Sequence, residues 1–216
     1  MPLSREFILD KFSKVKCVGI CGVATAGKDT FFVLLRDYLK PYDIHVQRFA
    51  LADKLKDEID PYLQQQFGIS AWTTNPEEKK LIRPSLVAHG YVRRMQTKGT
   101  HWTKQLEAPI IKALEKGEIL PVVTDIRYAE YDEDEIYWVR KFGGKLVYIT
   151  RYVNKTVVGK DTSEVIKDFV QPPNEDERRN DPKLRAQADY IIEWDTVAKP
   201  TLENLGEHIE NFIKAL

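Results

Sequence analysis

The chain has 216 residues and balances 33 Lys plus Arg against 33 Asp plus Glu, so no global field favours nucleic acid or a membrane surface and any anionic ligand must be caught locally. The two cysteines, Cys17 and Cys21, read as small buried apolar residues of a reducing compartment, and with four scattered histidines they offer no metal-site spacing. No apolar run reaches signal-peptide or membrane-spanning length, so a cytoplasmic protein of one domain with inserted lids is expected.

Residues Met1 to about Ser13 form an amphipathic lead anchored by Phe7, Ile8 and Phe12, followed by a first buried strand over Val15–Ile20. That strand runs into Gly22-Val23-Ala24-Thr25-Ala26-Gly27-Lys28-Asp29-Thr30, which satisfies G-x-x-x-x-G-K and reads as a phosphate-binding loop. Glycines let the backbone of Gly22, Ala24, Ala26 and Gly27 turn tightly, so that successive N–H groups face a polyphosphate. The following helix adds its positive end, and Lys28 supplies a compact charge for the outer phosphates. Asp29 stands where a Ser or Thr usually meets magnesium, and Thr30 brings a hydroxyl to the inner phosphate. A second Gly-Lys-Asp-Thr at Gly159–Thr162 lacks the first glycine and the helix, and reads as solvated loop. A guanine-specificity motif at Asn154-Lys155 fails because Val157 stands where an aspartate is needed.

Phe31, Phe32, Leu34, Leu35 and Leu39 have helical spacing that Pro41 ends, His45–Phe49 predicts a second strand, and Leu51 opens another helix. The stretch from Gln64 to Gly99 is expected to be mostly helical. It belongs to a substrate-side lobe over about 53–105 that carries Arg83, Arg93 and Arg94 with Trp72, Tyr91 and Trp102. Tyr91 and Trp102 are candidates for packing on an acceptor's base or sugar, against the competing reading of ordinary core aromatics. Ile119–Thr124 predicts a buried strand ending in Thr124-Asp125-Ile126-Arg127. At such a strand end Asp125 would hold magnesium or its water, and Arg127 would project into the crevice; the competing readings are a helix N-cap and a surface arginine. An acidic helix over Glu130–Phe142, a strand over Leu146–Thr150, a polar lid over about 152–187 bearing Arg178 and Arg179, a strand over Tyr190–Ile192 and a terminal helix around Leu202–Phe212 complete the chain. Strands alternating with helices predict a doubly wound parallel α/β sheet of about five strands.

With these residues in view the chain resembles the deoxynucleoside monophosphate kinases of bacteriophages, within the P-loop nucleoside monophosphate kinases. The likeness rests on Gly22–Thr30 and on Phe49-Ala50-Leu51-Ala52-Asp53-Lys54-Leu55-Lys56, similar to the family's F-A-x-x-D-x-L-K. It rests also on the lobe from Arg83-Pro84 to Trp102, on Thr124-Asp125-Ile126-Arg127-Tyr128, similar to D-V-R-F, and on Ala188–Ile192. It implies an adenylate-kinase-like fold and magnesium-dependent transfer of the ATP γ-phosphoryl group to a deoxynucleoside monophosphate, in host cytoplasm for a phage-encoded chain, with no stable nucleic-acid or membrane partner and with room for a homodimer. On this reading Lys28 and the loop hold ATP and Asp29 and Asp125 serve magnesium. Arg127 and Arg151 bridge donor and acceptor, and Arg178 and Arg179 close the lid. Asp53, Lys54, Arg83, Tyr91, Arg93, Arg94, Trp102 and Arg127 face the acceptor. The rival expectations are another small-molecule kinase on the same scaffold, such as phosphomevalonate kinase, and a nucleotide-gated ATPase module.

Overall fold

The computed structural model describes residues 3–117, 119–158 and 163–216. The second Gly-Lys-Asp-Thr lies outside the described residues. Ser4 caps α1 (Arg5–Ser13) by accepting the Phe7 N–H. Then come β1 (Val18–Cys21), α2 (Lys28–Leu39), β2 (His45–Phe49), α3 (Leu51–Phe67), α4 (Pro76–Thr97), α5 (Thr100–Leu114), β3 (Ile119–Ile126), α6 (Glu135–Lys141), β4 (Lys145–Val158), β5 (Ser163–Phe169), α7 (Glu175–Gln187), β6 (Tyr190–Asp195) and α8 (Leu202–Ala215).

The protein is an α/β fold around a mixed, mostly parallel six-stranded sheet. β2, β3, β1 and β4 are neighbours in that order, β6 is parallel to β4, and β5 is antiparallel to β4. Alternation along the strands sends Val122, Val147 and Ile149 to one face, with Phe31 and Leu35 of α2 and Phe212 of α8. Val123, Leu146 and Tyr148 go to the other, with Leu106 and Ile110 of α5. Helices therefore cover both faces, and a smaller apolar cluster of Ile59, Leu63, Ala71 and Ile82 joins α3 to α4.

The expected all-parallel sheet is corrected at β4 and β5. β4 continues well past Thr150 and folds back as a hairpin with Tyr152 opposite Phe169, so the expected polar lid begins as antiparallel sheet and ends in α7. Val153, Val157, Val165 and Ile166 are exposed there among Asn, Lys, Thr and Glu, with no strict alternation. An exposed two-sided ribbon dilutes its apolar signal in this way and reads as loop. The strand expected at Val15–Ile20 forms only from Val18, because Val15 closes a turn through its N–H to the Phe12 carbonyl. The helix expected from Glu130 starts at Glu135, since Asp134 caps it and the preceding residues wrap around an arginine described below. Among the described residues no helix is long and apolar enough to cross a membrane. Cys17 and Cys21 are free and buried, and burial pushes the Cys17 thiol up to about 12.

Candidate functional site

β1 and β3 are parallel, and although their register slips between Gly19 and Cys21, Cys21 stands beside Ile126, so the loop leaving β1 and the residue leaving β3 emerge together at one edge of the sheet. The glycine-bounded loop is shaped by close approach. Gly22 has φ of 131°, and a Cβ there would stand 2.1 Å from the Ile149 carbonyl oxygen. A Cβ on Gly27, at φ 100°, would stand 2.6 Å from the Trp194 ring. Trp194 also donates its indole N–H to the Ala26 carbonyl at 3.1 Å, fixing the loop from β6. Only glycine meets both demands.

α2 begins directly after Gly27 with no side-chain cap, so the first-turn N–H groups from Lys28 onward face outward without an intrahelical partner. Lys28 folds back, its ammonium donating to the carbonyls of Gly22 at 2.6 Å and Val23 at 2.8 Å. Burial, with Arg127 nearby, lowers its pKa. A pocket opens here, lined by Gly22, Val23, Ala24, Lys28, Arg127, Glu177, Asp181 and Leu184. Lys28 and Arg127 thus both line one pocket. The loop also already holds an anionic oxygen: the Ala24 N–H donates to Glu177 Oε2 at 2.7 Å.

Several expected roles are corrected. Asp125 is buried, and its two oxygens accept the N–H groups of Leu51 and Ala52 at 2.8 Å each, so it caps α3 and does not stand open for a metal. Burial raises its pKa, against the pull of those two N–H groups. Arg94 is enclosed. Its two terminal nitrogens clasp both oxygens of Asp134 at 2.9 Å, one nitrogen reaches Glu130 at 3.2 Å, and the guanidinium lies 3.7 Å over the Tyr128 ring. With every arm engaged it is a structural clamp rather than a substrate contact. Arg93 pairs with Glu58 and Asp53 pairs with Arg48, while Lys54 sits 3.4 Å from Asp57. Trp102, only 4% exposed, points from α5 into the core and packs edge-on to His101, so it walls no open pocket. Tyr91 is 63% exposed on α4. From the lid, Arg178 pairs with Glu175 and Arg179 with Asp176 and Glu130; Glu177 is the α7 side chain that reaches the loop. Arg151 follows on β4 opposite Trp194 and does not line the pocket. Arg83, Asp29 and Arg127 are exposed.

No group of three or more His, Cys, Asp or Glu side chains is arranged to hold a metal ion among the described residues. Magnesium accompanying a polyphosphate keeps waters and phosphate oxygens as ligands and asks the protein for one or two contacts, a demand that Asp29 and Thr30 on the first turn of α2 fit and Asp125 does not.

Sequence reasoning missed Glu177, Asp181, Glu135 and Trp194. Glu135 is buried, its Oε2 accepting the N–H groups of Arg127 and Tyr128, and burial pushes its carboxyl up to about 8 despite Arg94. Asp181 accepts the Tyr148 hydroxyl at 2.9 Å. Asn174 accepts the Glu177 N–H while its amide donates back to the Glu177 side chain, so an Asn-x-x-Glu spacing marked the start of α7 in the sequence. No comparable local signal marks Trp194. No family model and no curated protein matches the chain.

The helical lobe carries its own charge cluster. Burial alone would raise Glu58, but hydrogen bonds from His101, Arg93 and Gln105 outweigh it and hold the carboxyl at about 2, against an ordinary 4.5. A depressed folded pKa stabilises the fold above the unfolded value, and the gain is lost as pH falls through the window from about 4.5 to about 2. Chemical unfolding across that window should show wild type losing on the order of 1 kcal/mol more than Glu58→Gln, after solvent screening is allowed for. Parallel pH profiles for the two proteins would remove Glu58 as the source.

Proposed function

We propose that this chain is a kinase that transfers the γ-phosphoryl group of ATP to a deoxynucleoside 5′-monophosphate, built as a P-loop nucleoside monophosphate kinase with an adenylate-kinase-like layout. The observation that carries this reading is the loop amide of Ala24 holding a carboxylate oxygen at 2.7 Å between Lys28 and the uncapped end of α2. A backbone that accepts an anion there fits a phosphate equally well. The strand neighbours β2, β3, β1, β4 and β6, with the loop at the carboxyl edge, support the same fold.

ATP with magnesium supplies the phosphoryl group and part of the charge neutralisation. The chain's own groups do the rest by position and charge. Loop N–H groups orient the donor phosphates, Lys28 neutralises their outer oxygens, and Asp29 with Thr30 meets the metal or its water. Arg127, on the β3 side of the pocket, stabilises charge between donor and acceptor. α7 covers the loop and excludes water. The acceptor enters from the α3–α5 lobe, where Arg83 offers an exposed cation while Arg93 and Arg94 are engaged in ion pairs. The deoxy preference rests on the family resemblance, since Trp102 is buried in the core.

ADP formation measured with ATP, magnesium and a panel of monophosphates tests the reading, with dGMP against GMP as the comparison that keeps the base fixed. Turnover should require a nucleoside monophosphate, with GMP poorer than dGMP. ADP formation that ignores every added monophosphate overturns the kinase reading in favour of an ATPase module, and equal use of dGMP and GMP overturns the deoxy assignment.

Glu177 makes a second expectation. Its carboxylate holds the amide that a donor phosphate needs, so it must leave as nucleotide enters. Calorimetric titration should give Glu177→Gln about tenfold tighter ATP binding than wild type, roughly 1.4 kcal/mol. Equal or weaker binding would mean that Glu177 does not compete.

A further inference from the structure

Where the chain leaves β3, residues 127–131 follow neither helix nor strand, yet the N–H of each meets a buried side chain. Glu135 Oε2 accepts from Arg127 at 2.6 Å and from Tyr128 at 3.1 Å. Asn180 Oδ1 of α7 accepts from Ala129 at 3.1 Å, and Asp134 Oδ2 accepts from Glu130 at 2.9 Å and from Tyr131 at 3.4 Å. An irregular segment has no ladder to satisfy its amides, so these buried acceptors fix its path.

Glu135 stands apart in this set. It is 3% exposed, and a buried carboxyl costs free energy that only good hydrogen bonds offset. Arg94 does not account for it, because that guanidinium already holds both oxygens of Asp134 at 2.9 Å and approaches Glu135 only to 3.3 Å. The shortest bond that Glu135 accepts comes from the Arg127 N–H. Arg127 in turn lines the loop pocket with an exposed side chain that makes no ion pair among the described residues. The reach of its guanidinium is therefore set where its backbone is set.

We infer that Glu135 is a positioning residue for phosphoryl transfer: its carboxyl anchors the Arg127 backbone, so that the guanidinium arrives where charge develops between donor and acceptor. This role rests on the kinase reading above. It asks residue 135 for an oxygen at full glutamate length, whereas a partner for Arg94 need only be negative. Glu135→Asp keeps the charge and draws the oxygens back by one methylene. Glu135→Gln keeps the length and gives up the charge.

Steady-state ADP formation with ATP, magnesium and the best monophosphate acceptor tests this, on variants whose folding is checked by thermal melts. Glu135→Asp should lower kcat about a hundredfold, the cost of a misplacement of about 1 Å, with KM for both substrates within about threefold of wild type. Glu135→Gln should stay within about tenfold of wild type in kcat, since its amide oxygen can take the place of Oε2 at the two N–H groups. Arg127→Ala alone should cost about a thousandfold, and Glu135→Asp added to it less than about threefold more, because the group it misplaces is already gone. Amide hydrogen exchange needs no substrate: the Arg127 and Tyr128 N–H groups should be protected in wild type and exchange at least about tenfold faster in Glu135→Asp. Glu135→Asp as fast as wild type, Glu135→Gln slower than Glu135→Asp, a further loss of about a hundredfold on top of Arg127→Ala, or unprotected Arg127 and Tyr128 amides in wild type each overturns the inference. A wild type without monophosphate-dependent turnover removes the kinase reading and this role with it, while the exchange result still decides whether Glu135 anchors the Arg127 backbone.

Discussion

Lys28→Ala should lose phosphoryl transfer by about a thousandfold or more in kcat/KM, roughly 4 kcal/mol of transition-state stabilisation, while keeping its fold. The side chain lies along the loop with its ammonium on the Gly22 and Val23 carbonyls, at the mouth of the pocket it shares with Arg127. Truncation removes the one flexible cation attached to the loop itself, and Arg127 on the far wall cannot follow a moving phosphoryl group to the same place. Stability should change little, because burial already disfavours the Lys28 charge and the carbonyls it leaves stand at an open pocket where water replaces it. A monophosphate-dependent ADP assay beside a thermal melt separates the two effects. Near-normal turnover in a folded variant would refute the role given to the loop.

Arg94→Met should produce the largest loss of stability, about 3–5 kcal/mol by equilibrium unfolding in denaturant. The Arg94 side chain is 7% exposed and that of Asp134 is 1% exposed. Removing the guanidinium leaves an acidic pocket of Asp134, Glu130 and Glu135 with no internal counter-charge from this residue. Desolvation would push Asp134 upward, yet hydrogen bonding and attraction from Arg94 hold it below its ordinary range, and that support disappears with the arginine. Since whole domains are stable by about 5–15 kcal/mol, a loss of this size endangers folding at physiological temperature. Arg94→Lys should recover only part, because one ammonium cannot reproduce two parallel bonds to Asp134 at 2.9 Å together with a face stacked on Tyr128. A change within 1 kcal/mol of wild type would show the cluster to be screened by solvent and the clamp unnecessary.

The glycine-bounded loop was legible because its requirements are local. Gly22 and Gly27 answer to backbone conformation, Lys28 follows at a fixed spacing, and the apolar run before and periodic helix after lie within a few residues. The buried strands were legible for the same reason: four consecutive apolar or small residues at Val18–Cys21 can only sit inside a covered sheet. The hairpin from Tyr152 to Phe169 was not, since both faces of the ribbon meet water, so neither strand carries an apolar period, and the pairing that makes it sheet is between strands, not within either.

Residue type alone could not settle which charged and aromatic groups serve the site and which serve the fold. Asp125 at a strand end suits a metal or a helix cap equally, and the distant Leu51 and Ala52 N–H groups decided for the cap. Arg93 and Arg94 are indistinguishable in sequence, but α4 turns one toward Glu58 and the other into the acids before α6. Trp102 and Tyr91 share an aromatic character, but α5 turns the first into the core while α4 leaves the second on an open face. Glu177 stands at capping distance from Asn174, a local signal for a helix start that went unread, and only the docking of α7 beside β4 put its carboxylate on the Ala24 amide. Backbone conformation and hydrophobic period are properties of neighbours along the chain, and the sequence by itself determined them. The partner of a charge is a property of neighbours in space, and only the tertiary structure decided it.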